Sequence, residues 1–245
     1  MAISVMKRYE LKYLMDEGQA DALRKELEKH MRIDEYGRTS IASLYYDTPD
    51  ARLIRTALEK PAYKEKIRLR SYGLATEESP VFLELKRKYD GVVYKRRITS
   101  TIPDIRRFFE GKDIEGDNAQ IQKELKYFRD YYGSLSPSCL IIYDRTAYFE
   151  PDGDLRLTID HKPRYRINDL TLTKSLDGIP LLKEGWSILE VKVQGAMPLW
   201  LSSVLSEERI YKSSFSKYGE AYRLELEKKM ENTLEFTVPA LFGVA

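Results

Sequence analysis

Between Tyr63 and Arg70 the chain reads Tyr-Lys-Glu-Lys-Ile-Arg-Leu-Arg, and a period of two divides it cleanly. Lys64, Lys66, Arg68 and Arg70 share one parity, while Tyr63, Glu65, Ile67 and Leu69 share the other. Successive side chains of a strand point to opposite faces of a sheet, so this stretch reads as a β-strand with cations down one face. Like charges in a row repel one another unless something negative sits among them. Phosphate suits such a row, because a guanidinium fork binds two of its oxygens. A single strand of this kind is a solvated basic face. What matters is whether other strands repeat the pattern.

They do. Strands are expected over 5–14, 40–47, 62–72, 81–89, 92–99, 138–150, 155–161 and 187–194. One parity carries Arg8, Glu10 and Lys12, then Glu84 and Lys86, Arg145, Arg156 and Asp160, and Glu190 and Lys192. The other parity is apolar. Asp90-Gly91 marks a tight hairpin between two of the strands. Helical spacing appears over 18–31 behind an Asp16 N-cap, 51–58, 103–110, 118–132, 197–206 and 216–230. Lys123, Glu124, Lys126 and Arg129 read as the solvated face of one of these helices, and most tyrosines read as core. Residues 162–185 suggest a short strand near Leu170–Lys174 and a turn at Asp177-Gly178. No linker, repeat or low-complexity segment divides the chain. One domain over 1–245 is expected, with 231–245 a loosely ordered tail.

An ordinary half-exposed sheet varies its polar residues; here Arg, Lys and Glu dominate. About eight antiparallel strands of this kind can close into a barrel that holds a ligand. The expected fold is therefore α+β: a tunnel-shaped antiparallel barrel with its apolar parity outward, beneath helices, and its charged parity inward. An inward-facing charged parity is costly unless the ligand is itself charged, as a chain of phosphates with metal ions would be. Lys12, Lys66, Arg68, Arg70, Lys86, Arg145, Arg156 and Lys192 would hold phosphate oxygens. Glu10, Glu84, Asp160 and Glu190 could hold Mg²⁺ or Mn²⁺, which take oxygen ligands and need only one or two carboxylates beside phosphate. The alternative for each carboxylate is an ion pair with a neighbouring cation.

The net charge of +2 excludes a general polycation, so a basic site must be a local concentration. Nucleic-acid binding would want aromatics on the basic faces, and those that can be placed mostly lie on the opposite parity. The single cysteine, Cys139, sits in an apolar run and reads as core in a reducing compartment. No signal peptide or membrane span is legible, which gives a cytoplasmic expectation, with any membrane role left to a partner protein. His30 and His161 lie near no nucleophile motif, so a Ser/His/Asp hydrolase is not expected.

Taken together, Arg8–Tyr13, Ser43–Thr48, Tyr63–Arg70, Phe82–Lys86, Ile188–Lys192 and Ser214–Tyr218 resemble the polyphosphate polymerase domain of the vacuolar transporter chaperone (VTC) family. That family is a branch of the CYTH-like triphosphate tunnel metalloenzymes. The resemblance implies metal-dependent transfer of the γ-phosphate of ATP to a growing polyphosphate chain. It assigns Lys66, Arg68, Arg70, Lys86 and Arg145 to the triphosphate, Lys12 and Arg156 to the basic lining, and Glu190 to the metal. It places Ser216 and Lys217 at the start of a C-terminal helix that contributes to phosphate binding. The wider superfamily opens with two alternating glutamates. Here Arg8 replaces the first, which points towards the polymerase-like branch. The competing readings are a triphosphate hydrolase using the same tunnel and a non-catalytic module that binds polyphosphate or a nucleotide.

Overall fold

A computed structural model describes residues 9–90, 92–116 and 118–241. Arg8, Gly91 and the residues after 241 lie outside the described residues. The elements in chain order are β1 (Tyr9–Met15), α1 (Glu17–His30), β2 (Arg32–Asp47), α2 (Arg52–Leu58), β3 (Tyr63–Tyr72), β4 (Val81–Tyr89) and β5 (Val92–Ser100). They continue with α3 (Ile102–Phe109), α4 (Ala119–Tyr132), β6 (Ser136–Phe149), β7 (Arg156–Arg166), β8 (Ile179–Pro180), β9 (Ser187–Val193), α5 (Leu199–Glu207) and α6 (Lys217–Leu241).

The strands form one antiparallel sheet in the order β1-β9-β7-β6-β2-β3-β4-β5, with β8 paired to β7. No hydrogen bonds join β1 to β5, so the sheet is not closed as a barrel. It curls nonetheless. Lys86 on β4 reaches Glu10 on β1 at 3.5 Å, so side chains bridge the open seam.

Period-two alternation sets the layers. The outer parity of β2–β5 and β6, including Leu44, Ile67, Leu69, Leu83, Leu85 and Ile98, packs under α3 and α4. The outer parity of β1, β7 and β9, including Leu157, Ile159, Leu189 and Val191, packs under α1 and α5. Asp16 and Gln19 form the capping box that starts α1. The Asp90 hairpin holds as expected. Tyr89 faces Val92, and Asp90 takes the left-handed conformation that such short turns require.

Five expectations need correction. No strand forms at Leu170–Lys174. Leu172 instead inserts into the core, its carbonyl accepts from the Ala75 amide, and the ninth strand is β8. Gly178 must be glycine there, since a Cβ would stand 2.8 Å from the Tyr165 carbonyl oxygen. β2 begins at Arg32, because a bulge between Ile33 and Arg38, with Gly37 at positive φ, breaks the alternation that would have revealed it. α6 runs on to Leu241, as no glycine lies between Gly219 and Gly243 to end it. The charged face of α4 is not merely solvated. Arg129 is buried and donates to the Phe108 and Lys112 carbonyls, while Glu124 accepts from Arg87 and Arg96 on the sheet. Finally, α6 packs on the inner face, where Tyr218 and Ala221 meet Ile41, Cys139, Ile141, Tyr143 and Tyr165. Several tyrosines therefore lie inside the curl rather than beneath the outer helices.

Candidate active site on the inner face of the sheet

The inner parity of β3 and β4 meets in register, Lys64 opposite Lys88, Lys66 opposite Lys86, Arg68 opposite Glu84 and Arg70 opposite Phe82. Because the Asp90 hairpin is so short, β5 continues the same rows, with Lys95 opposite Lys86 and Arg97 opposite Glu84. Glu84 is 1% exposed and is surrounded by cations. Arg68 Nε donates to it at 2.9 Å, Lys95 pairs at 2.7 Å, Arg97 Nε donates at 2.8 Å, and Arg70 stands 3.8 Å away. Burial opposes the Glu84 carboxylate, yet these cations hold its pKa far below the usual range. Arg70 is fixed on its other side by Ser43 Oγ at 3.2 Å and the Tyr143 hydroxyl at 3.1 Å. Glu84 thus fixes the direction of the arginine forks.

A second cluster lies on β6, β7, β9 and α6. Arg145 grips Asp160 through Nε at 2.6 Å and Nη2 at 2.8 Å, and its Nη2 also reaches Glu190 at 3.2 Å. Lys217, from the first turn of α6, bonds Asp160 and lies 3.6 Å from Glu190, which Lys12 of β1 approaches to 3.3 Å. Burial disfavours every charge here. Lys217 and Arg145 nevertheless pull the Asp160 carboxyl down, Lys217 and Lys12 do the same for Glu190, the carboxylates in turn raise Lys217, and Tyr143 together with the carboxylates raises Arg145.

What brings Lys217 here is a contact outside the cluster. Asp47 at the end of β2 accepts from the Leu53 and Ile54 amides, which anchors α2, and from the Tyr218 hydroxyl at 2.9 Å. Tyr218 stacks on Tyr45, with ring centroids 4.4 Å apart. Ser216 accepts from the Gly219 amide and caps the first turn of α6. The Ser43–Thr48 and Ser214–Tyr218 stretches are therefore two halves of one joint.

The third region is different. Lys66 forms no ion pair with a described carboxylate, and its ammonium lies 5.5 Å from the Tyr218 ring. Burial, together with Lys12, Lys64 and Lys86, pushes its pKa down to about 8. Beside it, burial would raise the Tyr45 phenol, but Arg68, Lys66 and Arg70 bring it down to about 8. Arg68 Nη1 donates to that hydroxyl at 2.9 Å.

The structure brings Lys12, Lys66, Arg68, Arg70, Lys86, Arg145 and Lys217 to the inner face, with Lys192 opposite Glu10 on the neighbouring strand. Arg156 shares their parity but turns away. It is exposed, and it donates to the carbonyls of Glu150, Gly153 and Leu155 in the β6–β7 turn. Tyr45, Tyr143, Lys95, Arg97 and Ser43 were not foreseen. Register arithmetic from the two-residue hairpin would have found Lys95 and Arg97.

Among the described residues, no three of His, Cys, Asp and Glu gather into a metal cage. Glu84 has its oxygens taken up by cations, and Asp160 is held bidentately, so neither fits a metal. Glu190 fits better. Its contacts of 3.2–3.6 Å are longer than the roughly 2.7–2.9 Å of a tight charge-assisted bond. Glu10 lies near enough that the two carboxylates oppose each other's ionisation. Two such oxygen donors, with phosphate oxygens and water, match what a hard divalent ion takes.

The model of the VTC domain matches residues 7–226. The chain belongs to the VTC domain family. No curated protein matches its sequence. Among solved structures, a candidate adenylate cyclase from Bacillus halodurans superposes with a TM-score of 0.50 at 15% identity, covering 86% of this chain and 96% of that one. A candidate adenylyl cyclase from Hippeastrum, described as having a dominant triphosphatase activity, aligns at 0.47 and 16% over 87% of this chain and 93% of that one. The Bacillus halodurans likeness is one of fold.

Proposed function

We propose that this VTC domain is a metal-dependent polyphosphate polymerase that transfers the γ-phosphate of ATP to a growing polyphosphate chain within the curl of the sheet. The observation that carries this reading is Lys66, a crowded ammonium without a carboxylate partner among the described residues, in line with two arginines whose forks are already aimed. An anion bound there restores the charge that the apo site holds poorly.

Phosphoryl transfer depends mainly on positioning and on stabilising charge. Arg68 and Arg70, held by Glu84, Ser43 and Tyr143, would orient phosphate oxygens. Lys66 and Lys86 would neutralise charge on the opposite side, and Lys12, Arg145 and Lys217 would do so at the Glu190 end. Glu190 and Glu10 would hold Mn²⁺ or Mg²⁺, which would supply positive charge to offset that of the phosphates. The terminal phosphate of the acceptor chain is already anionic, so elongation needs no general base. Hydrolysis would benefit from a basic carboxylate to orient water. Glu10, Glu84, Asp160 and Glu190 all lie below their ordinary pKa values, which makes them poor bases and favours transfer over hydrolysis.

No described helix is long and apolar enough to cross a membrane. In this reading ATP is drawn from the cytoplasm, and a membrane-protein partner takes up the product. The test is incubation with ATP and Mn²⁺, followed by phosphorus NMR and a polyphosphate gel. Polymer should appear with ADP; orthophosphate without polymer would overturn the polymerase reading in favour of a hydrolase.

A further inference from the structure

Resting on that reading, we infer that Lys64 and Lys88 form a second anion subsite at the outer end of the β3–β4 ladder, which takes the distal phosphates of a polyphosphate chain and sets the direction in which it leaves. Carboxylate partners run out along this ladder. Arg68 and Arg70 share Glu84, and Lys86 has Glu10. Lys66, Lys64 and Lys88 have no ion-pair partner among the described residues. The Lys64 ammonium donates instead to the Ala57 carbonyl at the end of α2, at 3.3 Å.

Lys64 faces Lys88, and Lys66 faces Lys86, which in turn faces Lys95. Like charges directly opposite one another on one face of an antiparallel pair destabilise it. Lys88 is exposed and can splay into solvent, but Lys64 is half-buried and its ammonium is tied to the Ala57 carbonyl of α2. Burial lowers its pKa, and Lys88 and Lys60 lower it further.

The rung lies two residues beyond Lys66, or roughly 7 Å along the strand, and beyond the Glu10–Lys86 bridge that spans the seam. A triphosphate centred on Lys66, Arg68 and Arg70 has no need of a further cation pair on the side away from the arginines. A linear polyanion continuing outward does. The subsite thus distinguishes a long chain from a nucleotide.

The experiment compares the affinity of the full chain for tripolyphosphate and for a long inorganic polyphosphate at fixed ionic strength. Three proteins are used: the native protein, Lys64→Gln/Lys88→Gln, and a charge-matched control, Lys25→Gln/Lys123→Gln, on α1 and α4. Relief of the lysine repulsion should leave the melting temperature of the double variant unchanged or raised. The expected result is a loss of about tenfold for the long chain, about 1.4 kcal/mol for the two cations together, with tripolyphosphate and the control changed less than about twofold. Unaltered long-chain affinity in the double variant overturns the subsite, and so does an equal loss for both probes. A native protein that binds tripolyphosphate as tightly as the long chain overturns the subsite but leaves the proposed function standing. A native protein that binds neither overturns both.

Discussion

The Asp160–Glu190 cluster and the Lys66 rung lie on the same inner face, and both crowd charge away from water. In the first, every charge has a partner of opposite sign. Arg145 and Lys217 rise, Asp160 and Glu190 fall, and each group is more firmly ionised than it would be free in water. In the second, the neighbours of Lys66 are mostly lysines, and its ammonium approaches neutrality at a pH near 8. Burial alone therefore does not decide what a charged residue is for. A buried charge with partners is fixed in place and kept ionised, whereas a buried charge without one is open to an anion.

The sharpest way to break this contrast is to remove one charge from each region. Asp160→Asn keeps the shape but leaves Arg145 and Lys217 without their main partner, a loss that should cost about 3–5 kcal/mol. Urea denaturation measures it, and a cost under about 1 kcal/mol would mean that the cluster is not the structural half. Lys66→Met should do the opposite. Depression from an ordinary 10.5 to about 8 corresponds to stability withheld on the order of 3 kcal/mol at neutral pH. The variant should therefore be more stable than the native protein, by a part of that, and should lose tripolyphosphate binding. A destabilised Lys66→Met with intact binding would erase the distinction.

The same contrast explains what the sequence made legible. Period-two alternation is a local signal, so the curled antiparallel sheet, its inward parity and nearly all the site cations could be read from it. Which carboxylates are taken up by arginine and which are left less tightly held could not. Glu84 and Glu190 occupy equivalent-looking positions in Phe-Leu-Glu-Leu-Lys and Ile-Leu-Glu-Val-Lys. Only the pairing across β3, β4 and β5 closes four cations around Glu84. Tyr45 and Tyr143 were missed for a related reason. They share a parity with Ser43 and Arg145, but an aromatic beside apolar residues reads as core until α6 is seen to dock on the inside. Between β7 and β8, residues 167–178 lack regular alternation because their backbone is held by single contacts, such as the Ala75 amide on the Leu172 carbonyl, rather than by a ladder.

A finer probe of the rung is pH. Free Lys66 loses its proton near pH 8, and a bound phosphate would restore it, so binding takes up a proton above that point. Tripolyphosphate affinity should weaken by up to about tenfold per pH unit between 8 and 10 on this account. Tyr45, also near 8, acts in the same direction by becoming an anion. Measuring Lys66→Arg and Tyr45→Phe against the native protein cancels the titration of the ligand itself. Each variant should flatten part of the profile. The paired cluster adds no slope there, because Arg145 and Lys217 are raised and stay charged. A native profile that matches both variants would place the ligand away from Lys66.

The smallest expected effect tests where the site ends. Arg156 has the parity of the site cations and stands opposite Lys192, yet its guanidinium caps the carbonyls of the β6–β7 turn and lies over the Phe149 ring at 5.5 Å. Those are contacts of an exposed residue with neutral acceptors, and truncation should cost only about 0.5–1 kcal/mol of stability. Arg156→Ala should leave tripolyphosphate affinity within about twofold of the native value. A loss of about tenfold or more would mean that the arginine swings inward when the ligand arrives. The ligand would then reach past Lys192 to the β6–β7 end of the sheet, and the contrast would have to be redrawn with basic residues recruited at both ends of the curl.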